Sequence, residues 1–124
     1  MKIYSENNLQ QEIFVWYSNN YCLKNHNPRG LIASIPNGGT RDVREAMTLK
    51  NTGLLKGASD LIVIFPNKQL CFIELKLAKG VQSSEQKDFE SRVKALGFEY
   101  YLIRSLDEFK LICLEFAIDE NKAI

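Results

Sequence analysis

The sequence predicts an α/β fold, and three observations predict it. Two apolar runs, 60–65 and 69–77, flank Pro66-Asn67-Lys68 and read as the arms of a β-hairpin. Two capping-box patterns, Ser83-Ser84-Glu85-Gln86 and Ser105-Leu106-Asp107-Glu108, open helices further along. Strand-like and helix-like segments alternate in the order α-β-α-β-β-α-β-α.

The first helix is expected from an N-cap at Ser5 to about Asn19, because Leu9, Ile13, Trp16 and Tyr17 recur at helical spacing and share one face. Polar residues follow to Gly30, with Asn27-Pro28-Arg29-Gly30 as a turn cluster. A short strand, 31–35, ends at the breakers Pro36-Asn37-Gly38-Gly39, and a second helix is expected over about 42–51, with Gly53 as its stop. After the hairpin, the first capping box opens a helix to Leu96, closed by Gly97. A strand over 99–103 and a last helix to about Phe116 complete the order.

At 124 residues the chain has the length of one domain, 1–124, able to bury a core without covalent staples. With 45% hydrophobic and 25% charged residues it reads as soluble and globular. No apolar run approaches a membrane span, and the N-terminus lacks the apolar stretch of a signal peptide. The three cysteines, Cys22, Cys71 and Cys113, lie far apart; Cys71 and Cys113 read as core thiols, which fits a reducing cytoplasm rather than a zinc site. A net charge of +1 gives no bulk signal for nucleic acid. Arg41, Arg44, Lys50, Lys56, Lys79 and Lys87 read as ordinary solvated surface, and His26, the only histidine, as a surface loop residue.

The informative feature is charge inside the hairpin. Asp60, Glu74 and Lys76 stand in otherwise apolar strands, where a charge is costly unless it is paired or binds a metal. If 66–68 form the loop, Phe65 pairs with Gln69, and counting back sets Asp60 opposite Glu74. Opposed side chains in a sheet have Cβ atoms about 5 Å apart. Lys76, two residues on, faces the same side. A slip of one residue would separate the two acids. Two carboxylates this close stay ionised together only with a cation between them, and a hard divalent ion suits oxygen ligands. Mg²⁺ or Mn²⁺ there would polarise a phosphate and acidify a water, with Lys76 offsetting transition-state charge and the Leu75 carbonyl a candidate further ligand. The competing reading is a buried Asp-Lys-Glu salt bridge without metal.

Leu55-Lys56-Gly57-Ala58-Ser59-Asp60-Leu61-Ile62-Val63, then Phe72-Ile73-Glu74-Leu75-Lys76, then Ser83 to Lys87, resemble the VRR-NUC family of the PD-(D/E)xK nuclease superfamily. Ile35-Pro36-Asn37-Gly38-Gly39 and Glu6-Asn7-Asn8-Leu9-Gln10 extend the resemblance to most of the chain. It implies a restriction-endonuclease-like core, a mixed sheet flanked by helices. It implies hydrolysis of phosphodiesters with Mg²⁺ or Mn²⁺, with Asp60 and Glu74 as metal ligands and Lys76 as the catalytic lysine. Glu6 matches the first-helix glutamate that completes the acidic site, and Gln86 the glutamine on the helix after Glu-x-Lys. One departure stands out: Ser59 occupies the position before the aspartate where the family often has proline.

Each supporting residue also has a plainer reading. Glu6 suits a helix N-terminus on electrostatic grounds alone, and Glu12 is its competitor, about 120° away around the helix. Gln86 is the N3 residue of a capping box. Asn37-Gly38-Gly39 reads as a turn, although its backbone N–H groups would also suit a phosphate. The expected function is a metal-dependent DNA endonuclease, structure-specific for branched or junction DNA, working in the cytoplasm, with a homodimer supplying the footprint. The alternatives are a non-catalytic nucleic-acid-binding module or a structural subunit of a repair or replication complex on the same fold.

Overall fold

In a computed structural model the described residues are 3–22, 30–36, 47, 48, 50–66 and 68–122, with side chains described through Phe116. They form a four-stranded mixed sheet in the order β1-β2-β3-β4: β1 is Leu31–Ser34, β2 Leu61–Phe65, β3 Gln69–Leu75 and β4 Glu99–Ile103. β1–β2 and β2–β3 are antiparallel, and β3–β4 is parallel. The crossover between β3 and β4 is a helix, α2 (Ser84–Ala95), as parallel neighbours require. Two further helices are α1 (Glu6–Tyr17) and α3 (Leu106–Lys122). Among the described residues no helix is long and apolar enough to cross a membrane.

Strand alternation divides the interior in two. Leu61, Val63 and Phe65 of β2 with Cys71, Ile73 and Leu75 of β3 face α1 and α3, meeting Leu9, Ile13 and Tyr17 from one helix and Phe109, Ile112, Cys113 and Phe116 from the other. On the opposite face a smaller cluster joins Ala58, Phe72 and Tyr100 to Phe89 and Val93 of α2. Cys71 and Cys113 are free and buried, and burial pushes both thiols up, so they are inert core residues. The aromatic hub of the larger core is Tyr17, stacked on Tyr21 and edge-on to Phe65 and Phe109. Its hydroxyl donates to the Ile64 carbonyl at 2.9 Å, tying α1 to β2. Gly30 leaves room for that hydroxyl: a Cβ there would collide with it.

The expected elements form, with shifted ends. α1 stops at Tyr17 rather than near Asn19, because a π-helical turn, Ser18–Cys22, takes over and carries Tyr21 onto the core. β1 ends at Ser34, although the Ile35 N–H still donates to the Asp60 carbonyl at 2.9 Å. β2 begins at Leu61, not Asp60, and β3 ends at Leu75, not Leu77. There the ladder gives way to side-chain pairing, because Asp60 Oδ2 accepts from the Leu75 N–H at 2.8 Å. The last helix runs past Phe116 to Lys122. Residues 47, 48, 50 and 51 are helical, matching the end of the expected second helix; the rest of that helix, Asn37-Gly38-Gly39, His26, Arg41 and Arg44 lie outside the described residues.

Tyr17→Phe removes only the bond to Ile64 from a fully buried ring. It should lower unfolding free energy by about 1 kcal/mol, read as a shift of the urea midpoint at constant m-value.

Candidate active site

The hairpin register sets the site. Phe65 pairs with Gln69 and Leu61 with Ile73, so the next pair outward is Asp60 with Glu74, as counted from the loop. Both belong to the face that carries α2, at the polar end of the smaller core. Asp60 is held by the Leu75 N–H, and the residue before it adds a second restraint. Ser59 is fully buried, and its hydroxyl donates to the Leu61 carbonyl at 3.1 Å, spanning the aspartate from both sides. The departure at Ser59 from the resembled pattern is thus met by a hydrogen bond that restrains the same backbone. Sequence reasoning saw only the departure; the signal available was a small hydroxyl residue two positions before a strand carbonyl it could reach.

Glu74 is 1% exposed. Its Oε2 accepts from Gln86 Nε2 at 3.0 Å and lies 3.8 Å from Lys76 Nζ. The same Gln86 closes the capping box of α2: its Oε1 accepts from the Ser83 N–H at 2.8 Å, while its own N–H donates to Ser83 Oγ. Because Oε1 is committed to Ser83, the amide nitrogen must be the end that meets Glu74. The cap and the contact with the acid are thus one arrangement, and they fix the start of α2 over the site.

The other glutamate oxygen, Oε1, is buried with no donor among the described residues. Burial pushes the Glu74 carboxyl up from its usual value to about 8, helped by the neighbouring charge of Asp60 and by Asp60's capacity to accept a hydrogen bond from the protonated form. Lys76 opposes the shift, and Glu6 adds to it weakly. Lys76 thus lowers the Glu74 carboxyl without overcoming its burial.

The first-helix candidates separate. Glu6, the first residue of α1, is near enough to act on Glu74. Glu12 is engaged elsewhere, accepting from the Tyr4 hydroxyl at 2.6 Å, which holds that phenol up at about 12. Among the described residues no three His, Cys, Asp or Glu side chains gather into a ligand cluster. Asp60 and Glu74 are thus the close acidic pair, with Lys76, Gln86 and the Leu75 backbone around them and Glu6 further out. The donor set fits a hard divalent ion: two carboxylates side by side, one with a buried oxygen that lacks a donor. Two protein carboxylates suffice for Mg²⁺, which commonly keeps several waters and takes phosphate oxygens from its substrate.

A mixed sheet flanked by helices, with acids at the open end of a hairpin, is the architecture of restriction-endonuclease-like α/β domains. The VRR-NUC domain matches residues 1–107, and the chain belongs to that family of nuclease-type domains. Among solved structures, one named "VRR_NUC domain protein" superposes with a TM-score of 0.70 at 18% identity, over 94% of this chain and 90% of that one. At that identity the likeness establishes the fold. No curated protein matches the sequence.

The raised Glu74 carboxyl has a signed consequence for the metal-free protein. The unfolded chain gives up this proton near 4.5, while the folded chain keeps it to about 8, so stability falls as pH rises between those values. In EDTA the urea midpoint should decline from pH 5 to pH 8, and Glu74→Gln should flatten that decline.

Proposed function

We propose that this chain is a divalent-metal-dependent endonuclease that hydrolyses DNA phosphodiester bonds, with branched or junction DNA as the preferred substrate. The observation that carries the reading is the Asp60–Glu74 juxtaposition, in which Glu74 is buried and its Oε1 has no hydrogen-bond donor among the described residues. Burying the Glu74 carboxylate beside a second acid costs stability, and a bound cation would offset that cost. Family membership supports nuclease chemistry, and the close neighbours of the pair supply the remaining groups.

Asp60 and Glu74 would hold Mg²⁺ or Mn²⁺, with the Leu75 carbonyl and Glu6 as further candidate ligands. The ion, when bound, would supply Lewis-acid neutralisation of phosphate charge and acidify a water. The chain's own residues do the rest. Gln86 fixes Glu74 by donating to Oε2, so the free Oε1 keeps one orientation. The Leu75 N–H and the Ser59 bracket do the same for Asp60. Lys76, with a side chain 14% exposed, holds a positive charge at the mouth of the site. That charge orients the attacking water and offsets the charge that builds on the phosphate oxygens in the transition state. In-line attack leaves a 3′-hydroxyl on one fragment and a 5′-phosphate on the other.

The test is a panel of branched and linear DNAs incubated with Mg²⁺, Mn²⁺ or EDTA. Cleavage should require the metal, vanish in Asp60→Asn and fall by about 10²-fold or more in Lys76→Ala. Independently of activity, Mg²⁺ should raise the melting temperature at pH 8 in the wild type and not in Asp60→Asn. Cleavage that persists in EDTA, or that is undiminished in Lys76→Ala, overturns the mechanism. Metal-independent DNA binding without cutting, indifferent to Asp60→Asn, would make the chain a binding module instead.

A further inference from the structure

Lys76 is a flexible four-carbon stem whose amine is useful only if held in place. β4 and the residue after it do the holding. The Lys76 N–H donates to the Ile103 carbonyl at 3.1 Å, extending the parallel β3–β4 pairing one residue past Leu75. The chain then turns back through 77–80, closed by a hydrogen bond of 2.8 Å from the Gly80 N–H to the Leu77 carbonyl. Arg104, directly after β4, reaches this turn from the neighbouring strand. Its Nη1 donates to the Leu77 carbonyl at 2.6 Å and to the Gly80 carbonyl at 3.0 Å. Gly80 in turn lies against the lysine stem: a Cβ there would stand 3.2 Å from Lys76 Cδ and 3.4 Å from Lys76 Cβ.

We propose that Arg104 is a positioning residue for Lys76, stapling the 77–80 turn to the end of β4 so that the turn walls the lysine stem and keeps its amine beside Glu74. The inference rests on the reading of Lys76 as the catalytic amine. Charge-assisted bonds from a guanidinium are about twice as strong as neutral ones, so one cation gripping both ends of the turn outweighs the single backbone bond that otherwise closes it. Among the described residues Arg104 bonds to the Leu77 and Gly80 carbonyls and pairs with no acid of the site. Its effect reaches the chemistry through the wall around Lys76, and a misplacement of about 1 Å can cost about 10²-fold in rate.

The experiment pairs single-turnover and steady-state cleavage with the rate at which the Lys76 amine is reductively methylated, read by peptide mass spectrometry. The variants are Arg104→Ala, Arg104→Lys and Gly80→Ala. In Arg104→Ala, kcat should fall by about 10- to 100-fold with KM within about two-fold of wild type. Methylation of Lys76 should rise toward that of the exposed Lys56, whose side chain is 84% accessible. Arg104→Lys should recover most of both, since an ammonium can donate to the two carbonyls. Unchanged Lys76 methylation in folded Arg104→Ala, or equal losses in Arg104→Ala and Arg104→Lys, overturns the proposal. If Arg104→Ala does not fold, Gly80→Ala decides: its methyl presses on the stem from the same turn, and unaltered kcat and methylation would refute the wall. A wild type that cuts no DNA would refute the nuclease reading, while the methylation rates would still report on the positioning.

Discussion

The antiparallel register of β2 and β3 is the constraint on which the rest depends. It brings Asp60 against Glu74, two carboxylates on one face of a sheet where the other positions are apolar. A one-residue slip would turn Leu61, Val63 and Phe65 out of the larger core and move the two acids apart, so the hydrophobic pattern that folds the hairpin also enforces the pair. The two acids are held by local donors: the Leu75 N–H for Asp60, the Gln86 amide and the more distant Lys76 amine for Glu74. Among the described residues the buried Glu74 Oε1 is left without a donor, and the proposed cation would sit against it.

The two cores divide the labour. The larger one, between the sheet and α1 with α3, supplies the burial that makes the sheet rigid. The smaller one docks α2 so that its first turn overlies the acids. Gly57 permits the approach of the preceding loop: it takes a φ of +89°, and any Cβ there would collide with the Glu85 backbone. Each strand end then contributes one group or restraint, so the site is assembled where β2, β3, β4 and the start of α2 meet rather than within one motif.

Much of this was legible in the sequence, for identifiable reasons. The hairpin could be counted because Pro66-Asn67-Lys68 interrupts two apolar runs and a period of two fixes which side chains share a face. The opposition of Asp60 and Glu74 followed from that count. Gln86 was legible only in half: its place in a capping box is a local property, but the reach of its other end to Glu74 depends on how α2 docks. Ser59 and Arg104 were not legible as restraints. The serine acts through a backbone carbonyl whose direction is set by the fold, and the arginine through carbonyls 27 and 24 residues earlier that only the parallel β3–β4 pairing brings near. The π-helical turn after Tyr17 also escaped, because helical periodicity does not distinguish a tightening or widening of the last turn.

Asp60 and Glu74 together are the proposed holders of one divalent ion. Calorimetric titration of Mn²⁺ into the protein at pH 7, in two buffers of different ionisation enthalpy, tests that assignment without any nucleic acid. One Mn²⁺ should bind per chain and displace the proton retained on the acid pair, so that the observed heat depends on the buffer. Asp60→Asn should abolish both the binding and the proton release. Binding of equal strength in Asp60→Asn, or no Mn²⁺ binding by the wild type, would contradict it.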